Sequence, residues 1–190
     1  MPRIKREIGL NLKPRFPRLV ARLANELTSG REFGQPMIDE GRFPRTDALR
    51  VNVIWDEWES VPFEERSATI LQAYENAEGK EFRERVALAS GFTVPEAYES
   101  GMLPYQVVPL VRKDDPVTLR QCIDVMVEEG ASSLFDAERP QLRFGTCEDA
   151  EAAVKRLVAR LPGSDMIWAI SHEKGQIAQA ELDRPCDRDG

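Results

Sequence analysis

The pattern that most constrains this chain is an alternation of apolar and polar side chains over residues 49–56, followed at once by a helical pattern. Side chains two positions apart in a strand share a face, so the alternation predicts a strand with one buried face. That face consists of Leu49, Val51, Val53 and Trp55. The predicted helix begins near Pro62, has glutamates in its first turn, and buries an apolar stripe up to Tyr74. The chain is therefore committed to mixed α and β structure.

Between this strand and helix lies an acidic and aromatic turn, residues 56–59, which we call the Trp58 corner. Trp58 follows the strand and is predicted to lie at the surface, where indole rings commonly anchor partner interfaces. The alternative is a ring packed over the first turn of the following helix. We predict that the corner binds a partner through Asp56, Glu57, Trp58 and Glu59. Because adjacent carboxylates at a strand end point in alternate directions, they favour a solvated rim, and no metal ligand is predicted.

The N-terminal segment has the opposite charge to the rest of the chain. Residues 1–31 contain eight lysines and arginines against two glutamates, a net charge of +6, while the remainder carries −13. Apolar residues at helical spacing over residues 16–27 predict an amphipathic helix that ends near Gly30. Its flanking cations are predicted partner contacts: Arg15, Arg18 and Arg22. Such an arm can bind nucleic acid or an anionic membrane surface, bind an acidic protein partner, or fold back onto the acidic remainder of its own chain.

The predicted fold class is α/β in the broad sense that includes α+β, in four parts. Residues 1–47 form a basic helical arm and a Gly- and Pro-rich connector, and residues 48–104 form one strand with several helices, one of them over residues 80–89. Residues 105–172 form a two-layer α/β sandwich. Its order of strand, helix, strand, strand, helix, strand matches a ferredoxin-like plan if a weak strand exists near Leu134, and an ordinary βαβαβ unit if it does not. Residues 173–190 form a polar tail.

Composition argues against several chemistries. The three cysteines are widely spaced without a CxxC pair, so the sequence favours free thiols over a disulfide framework or a zinc site. The single histidine, His172, lacks a neighbouring nucleophile and orienting carboxylate, and Cys147 at a helix start is followed by two acids that disfavour a thiolate. We predict no catalytic residue and no cofactor.

No apolar run is long enough to span a bilayer and no signal peptide is recognisable, so we expect a cytoplasmic protein without membrane association.

These observations leave three functional hypotheses open. The favoured one is a non-enzymatic protein interaction or regulatory module that meets a protein partner, or another copy of itself, through the Trp58 corner and the basic arm. The first alternative is a small enzyme or cofactor-binding protein whose residues converge from distant segments. The second is an accessory factor that contacts nucleic acid through the basic arm. The sequence shows no GxxG clamp, aromatic ribonucleoprotein strand motif or cysteine–histidine finger to accompany it.

Overall fold

The computed structural model describes residues 15–29, 34–173 and 177–179. These residues have mixed α and β structure, which confirms the predicted class. The helices are α1 (Pro17–Ser29), α2 (Phe63–Glu78), α3 (Lys80–Arg85), α4 (Val94–Glu99), α5 (Leu119–Glu128) and α6 (Cys147–Arg160). The strands are β1 (Met37–Arg42), β2 (Leu49–Ile54), β3 (Val86–Phe92), β4 (Tyr105–Pro109), β5 (Leu142–Phe144), β6 (Trp168–His172) and β7 (Ile177–Gln179). A 3₁₀ helix, Asp56–Ser60, follows β2.

The first sheet has the strand order β1-β2-β3, with β2 at its centre. β1 runs antiparallel to β2, whereas β3 runs parallel to it after a crossover through α2 and α3. The buried face of β2 is the predicted one, and it packs in a core with side chains of α1 and α2. Leu23, Ile70 and Tyr74 are fully buried in this core. The predicted strand and the helix after it are therefore confirmed.

Two expectations about the first half of the chain are wrong. The helical arm is not separate from residues 48–104, because Leu19, Val20 and Leu23 of α1 belong to the same core. Residues 37–42, predicted as part of the connector, form an edge strand. The helix predicted over residues 80–89 ends at Arg85, and the chain continues as β3. Pairing with the free edge of β2 satisfies the backbone groups of residues 86–92, and this nonlocal gain outweighs their local helical pattern.

The second sheet has the order β5-β4-β6-β7, and every pair is antiparallel. The weak strand expected near Leu134 is reduced to one antiparallel bridge between Ser132 and Gln141, on the outer side of β5. With this bridge as its second strand, the order is that of the ferredoxin-like plan. α5 and α6 pack with the inner faces of β4, β5 and β6 around Trp168 and Leu157.

The chain after residue 172 differs from the predicted polar tail, because residues 177–179 add β7 to the edge of β6. The remainder of that predicted tail lies outside the described residues. Pro109 is the last residue of β4, a central strand. The missing N–H causes no loss there, because β5 pairs only with residues 105–107.

A third apolar cluster lies where α4 and the residues after it meet the ends of β2 and β3. Its buried members are Ile54, Val94, Ala97 and Leu103, with Met37, Phe92, Met102 and Phe135 packed against them. Phe135 is the member that lies after α5, so the cluster joins the first sheet and α4 to the loop after α5. Among the described residues, no helix has the length and apolar character required to cross a bilayer.

Candidate ligand-binding cleft

The Trp58 corner does not present an indole to solvent. Trp58 is 0% exposed, its Nε1 donates a 2.9 Å hydrogen bond to the carbonyl oxygen of Val53, and its ring packs edge-to-face on Trp55. The expectation of a surface Trp58 is therefore wrong. The 3₁₀ helix turns the chain back after Trp55, which brings both indoles to the core side, where the Trp58 N–H finds a backbone acceptor.

The carboxylates of this corner and the cations of α1 meet each other. Arg22 forms a 2.6 Å ion pair with Glu57, and its guanidinium lies 5.0 Å from the centre of the Trp55 ring. Arg15 pairs with Glu65 at the start of α2. Of the arrangements open to the basic arm, folding back onto the acidic body is the one that the described part of the arm adopts.

Two of the three remaining predicted contacts, Arg18 and Glu59, are exposed. Nothing in the structure tests whether Arg18 or Glu59 contacts a partner, so their proposed role stays a prediction.

Asp56, the remaining corner carboxylate, lies at the junction between the two sheets. Its backbone N–H donates a 2.8 Å hydrogen bond to Oε1 of Gln35, and its Oδ1 accepts a 3.0 Å hydrogen bond from Ser132. Gln35 in turn donates from Nε2 to the carbonyl oxygen of Gly130 at 3.1 Å. These three bonds connect the first sheet to the loop after α5. The structure thus gives Asp56 a structural contact inside the chain.

Beside this junction lies a cleft of about 620 Å³ between the two sheets. The first sheet contributes Asp39 and Arg50, and the segment after α5 contributes Glu129 and Ser132. The start of α6 contributes Asp149. The apolar part of the lining comes from the third cluster, through Met37, Ile54, Val94, Met102 and Leu103. The cleft is therefore assembled from segments that are far apart in sequence.

Most charges along the cleft are already paired within the protein. Asp39 accepts hydrogen bonds from Arg50 at 3.4 Å and from the amide of Asn52 at 3.3 Å. Glu129, which is buried, lies 2.8 Å from Nε of Arg156 and 3.3 Å from Nε of Arg160. These pairs fix the side chains that border the cleft and neutralise their charges locally.

Arg143 is the exception among the cleft arginines. It projects from β5 on the face opposite the core residues Leu142 and Phe144, as the strand period requires. Nε donates to Oε1 of Gln141 at 2.8 Å, and Nη2 donates to Oε1 of Gln106 at 3.3 Å, both neutral acceptors. Among the described residues, no carboxylate is within ion-pairing distance of it.

Two aromatic rings hold the guanidinium of Arg143 in place. It lies 4.0 Å from the ring centre of Tyr98 and 5.3 Å from that of Phe135, and these rings pack edge-to-face on each other. Burial lowers the pKa of Arg143 below its ordinary value, and interactions with Tyr98 and Glu173 oppose this effect. At neutral pH the cleft thus borders a positioned cation.

The residues weighed for reactivity lie elsewhere. Of the described residues that line the cleft, none is histidine or cysteine. His172 packs edge-to-face on Tyr105, with ring centres 4.8 Å apart. Cys122 is a buried thiol whose pKa is raised by burial. Cys147 is buried at the start of α6, and Cys186 lies outside the described residues.

Sequence reasoning missed Arg143, Gln35 and Asp39. A signal for Arg143 was available, because a charged residue between two core residues of a strand must face away from that core. No group of three or more metal-ligating side chains occurs in the described part of the chain. Comparisons with protein-family models, with curated proteins and with solved structures give no match for this chain.

Proposed function

We propose that this protein is a non-enzymatic binding module of the interaction or regulatory type, and that it holds a small ligand between its two sheets. The observation that carries the proposal is the cleft, whose volume of about 620 Å³ falls within the roughly 300 to 1,000 Å³ of small-molecule sites. Its lining combines an apolar wall with polar and charged side chains, and fixed polar groups of this kind orient ligands in small-molecule sites.

The state of the acidic groups favours binding over catalysis. A general base needs a carboxylate or imidazole with a free lone pair aimed at substrate. Asp39 and Glu129, which lie nearest to this role, are already bonded to arginines. The small-enzyme alternative would have to use one of these ion-paired carboxylates or Asp149, which also lines the cleft.

Ligand binding in this place has a regulatory consequence. The cleft is bounded on one side by the first sheet and on the other by β5 and the loop after α5. A molecule that touches both sides stabilises the junction at which Gln35 meets Gly130 and Ser132 meets Asp56, and so raises the stability of the folded chain.

Two-dimensional ¹H–¹⁵N NMR with a mixture of small fragments tests this proposal. We expect some fragments to shift the amide signals of cleft residues and to raise the melting temperature. An Arg50→Trp variant, which fills the cleft from an exposed position on β2, should abolish these shifts, whereas Arg42→Trp on β1, outside the cleft lining, should retain them. The proposal fails if no fragment shifts any cleft signal.

A second candidate is association through α1, with a protein partner or another copy of the chain. The observation that favours it is the kind of contact that holds α1: a short apolar stripe and ion pairs with Glu57 and Glu65. The same contacts can form between α1 of one copy and the 3₁₀ helix and α2 of another. Light scattering after gel filtration tests this over a range of protein concentrations. A mass that stays monomeric throughout would count against self-association.

Nucleic-acid binding through the arm is a weaker proposal. Arg15 and Arg22 already pair with carboxylates of the same chain, so fewer cations remain for phosphates. Ultraviolet absorbance of the purified protein, followed by binding measurements at rising salt, tests it. Absence of salt-dependent binding would remove it.

Localisation in the cytoplasm also stays a proposal. Reducing compartments keep thiols reduced, so the redox state of Cys147 reports on the compartment. Mass analysis of alkylated protein taken directly from cells decides the matter: a reduced Cys147 agrees with the cytoplasmic proposal, and an oxidised one contradicts it.

A further inference from the structure

We infer that the ligand of the cleft carries one carboxylate group and that Arg143 is the residue that binds it. This inference rests on the function proposed above and adds the chemical class of the ligand. It is carried by the geometry around Arg143, the charge of the other cleft residues and the composition of the cleft wall.

The first step concerns the charge of Arg143. A half-buried guanidinium normally has a carboxylate beside it, because burying an uncompensated charge is unfavourable. Arg143 instead has the side-chain amides of Gln106 and Gln141 and the faces of two aromatic rings. These partners orient the guanidinium but do not neutralise it, and Glu173 acts on it only from beyond ion-pairing distance. An incoming anion would bind the guanidinium directly.

The second step distinguishes a carboxylate from more highly charged anions. The lining of the cleft also includes Asp39, Glu129 and Asp149. Arg50 and Arg156 are engaged with the first two of these acids, so they do not add to the field at Arg143. A doubly charged phosphate would therefore meet one available cation among several acids, whereas a single carboxylate matches the planar fork of one arginine.

The third step concerns the rest of the ligand. Met37, Ile54, Val94, Met102 and Leu103 give the cleft an apolar wall. Burial of hydrocarbon or aromatic carbon against this wall is favourable in proportion to the area removed from water. The ligand class is therefore a small monocarboxylate with an apolar body.

Matched acid and amide probes test the inference. Benzoate and benzamide, and hexanoate and hexanamide, are titrated into the full chain alongside inorganic phosphate, and binding is followed by NMR of the cleft amides and of the Arg143 Nε–H. We expect each acid to bind at least about tenfold more tightly than its amide, because a charge-assisted hydrogen bond is lost in the amide. Phosphate should not displace the acid.

Variants assign the effect to Arg143. Arg143→Gln should remove the preference for acid over amide, and Arg143→Lys should retain part of it. Arg120→Gln, at an exposed arginine outside the cleft lining, is the matched control and should leave it unchanged. If Arg143→Gln does not fold, the acid and amide comparison in the unaltered chain and in Arg143→Lys decides the question.

The outcomes separate the two proposals. Equal binding of acid and amide, tighter binding of phosphate, or a preference that persists in Arg143→Gln overturns the carboxylate inference and leaves the cleft as a binding site. The carboxylate inference is also overturned, and the binding site kept, if neither acid binds while other fragments shift the cleft signals. If no probe and no fragment affects the cleft, both proposals are overturned.

Discussion

Arg22 and Glu57 form a 2.6 Å ion pair that connects α1 to the 3₁₀ helix after β2. The pair is exposed at both ends, with about half of each side chain open to solvent, at 47% and 44%. Beneath it, Leu23 of the same helix is fully buried. The two contacts act differently: the ion pair orients α1, and the apolar face holds it.

Replacing the two contacts separately should show this difference. Leu23→Ala should lower the free energy of unfolding by about 2–5 kcal/mol, as loss of a buried leucine side chain does. Glu57→Gln should lower it by less than about 1 kcal/mol, because exposed ion pairs contribute little. Urea unfolding followed by circular dichroism measures both. A larger loss for Glu57→Gln than for Leu23→Ala would show that the ion pair holds α1.

Because β3 lies close to the Trp58 ring, any side chain added at Gly91 should destabilise the fold. A Cβ atom at this position would lie 2.9 Å from Cβ of Arg66 and 3.0 Å from Cε2 of Trp58, both on packed elements. Gly91→Ala should therefore destabilise the fold by about 1–3 kcal/mol, as overpacking of cores does.

The matched control for Gly91 is Gly41→Ala on β1, where the added atom meets only the flexible end of Arg50. Its unfolding free energy should stay within about 1 kcal/mol of the unaltered chain. Thermal unfolding of both variants provides the measurement. Similar effects at the two positions would contradict the close packing of Trp58 under β3.

Arg66 joins three elements, so its replacement should lower the free energy of unfolding more than replacement of an exposed arginine. Its buried guanidinium donates to the carbonyl oxygens of Val61, at 3.0 Å, and Gly91, at 3.1 Å, and pairs with Glu96 at the start of α4. Arg66→Met should cost about 3 kcal/mol, because it leaves buried acceptors without donors. Arg83→Met, which removes a more exposed pair with Glu75, should cost less than about 1 kcal/mol. Chemical unfolding of the two variants measures both losses. Equal losses of unfolding free energy would contradict a special role of Arg66 in joining the three elements.

The ion pair between Arg66 and Glu96 predicts that the stability of the fold depends on pH. Burial raises the pKa of Glu96, but its hydrogen bonds with Arg66 and Thr93 lower it more, so its pKa lies below the ordinary value. A carboxyl whose pKa is depressed by folding stabilises the protein above its unfolded pKa, and that stabilisation is lost as pH falls through the folded pKa. Glu96→Gln should therefore be less stable at neutral pH and lose less stability on acidification. Parallel slopes for the two proteins in unfolding experiments at falling pH would contradict this.

Tyr74 should resist ionisation in the folded protein. Burial, followed by its hydrogen bond to Glu40 on β1, raises the pKa of Tyr74 far above its ordinary value. At an alkaline pH at which the chain is still folded, tyrosinate absorbance should be lower than after unfolding at the same pH. Tyr74→Phe should reduce this difference. An unchanged difference in the variant would mean that Tyr74 ionises normally.

Much of the local structure could be predicted because its causes are local. Alternation marks β2, and the Thr93 capping box with Pro95 in the first turn marks α4. A helix stripe such as that of Leu19 and Leu23 needs only the helical period to be recognised. For residues 105–172 the sequence left two plans open, and the antiparallel pairing of β4 with β5 and β6 gives the ferredoxin-like order.

The sequence by itself determined the α and β class, the apolar stripes of the helices and the excess of positive charge at the N-terminus, because each depends on residues within a few turns of one another. Only the tertiary structure decided that residues 86–92 pair with β2, that Trp58 turns inward, that α1 lies on its own acidic body, and that Arg143 faces a cleft. The reason is that each of these depends on free energy gained between segments far apart in the chain, which no local pattern encodes.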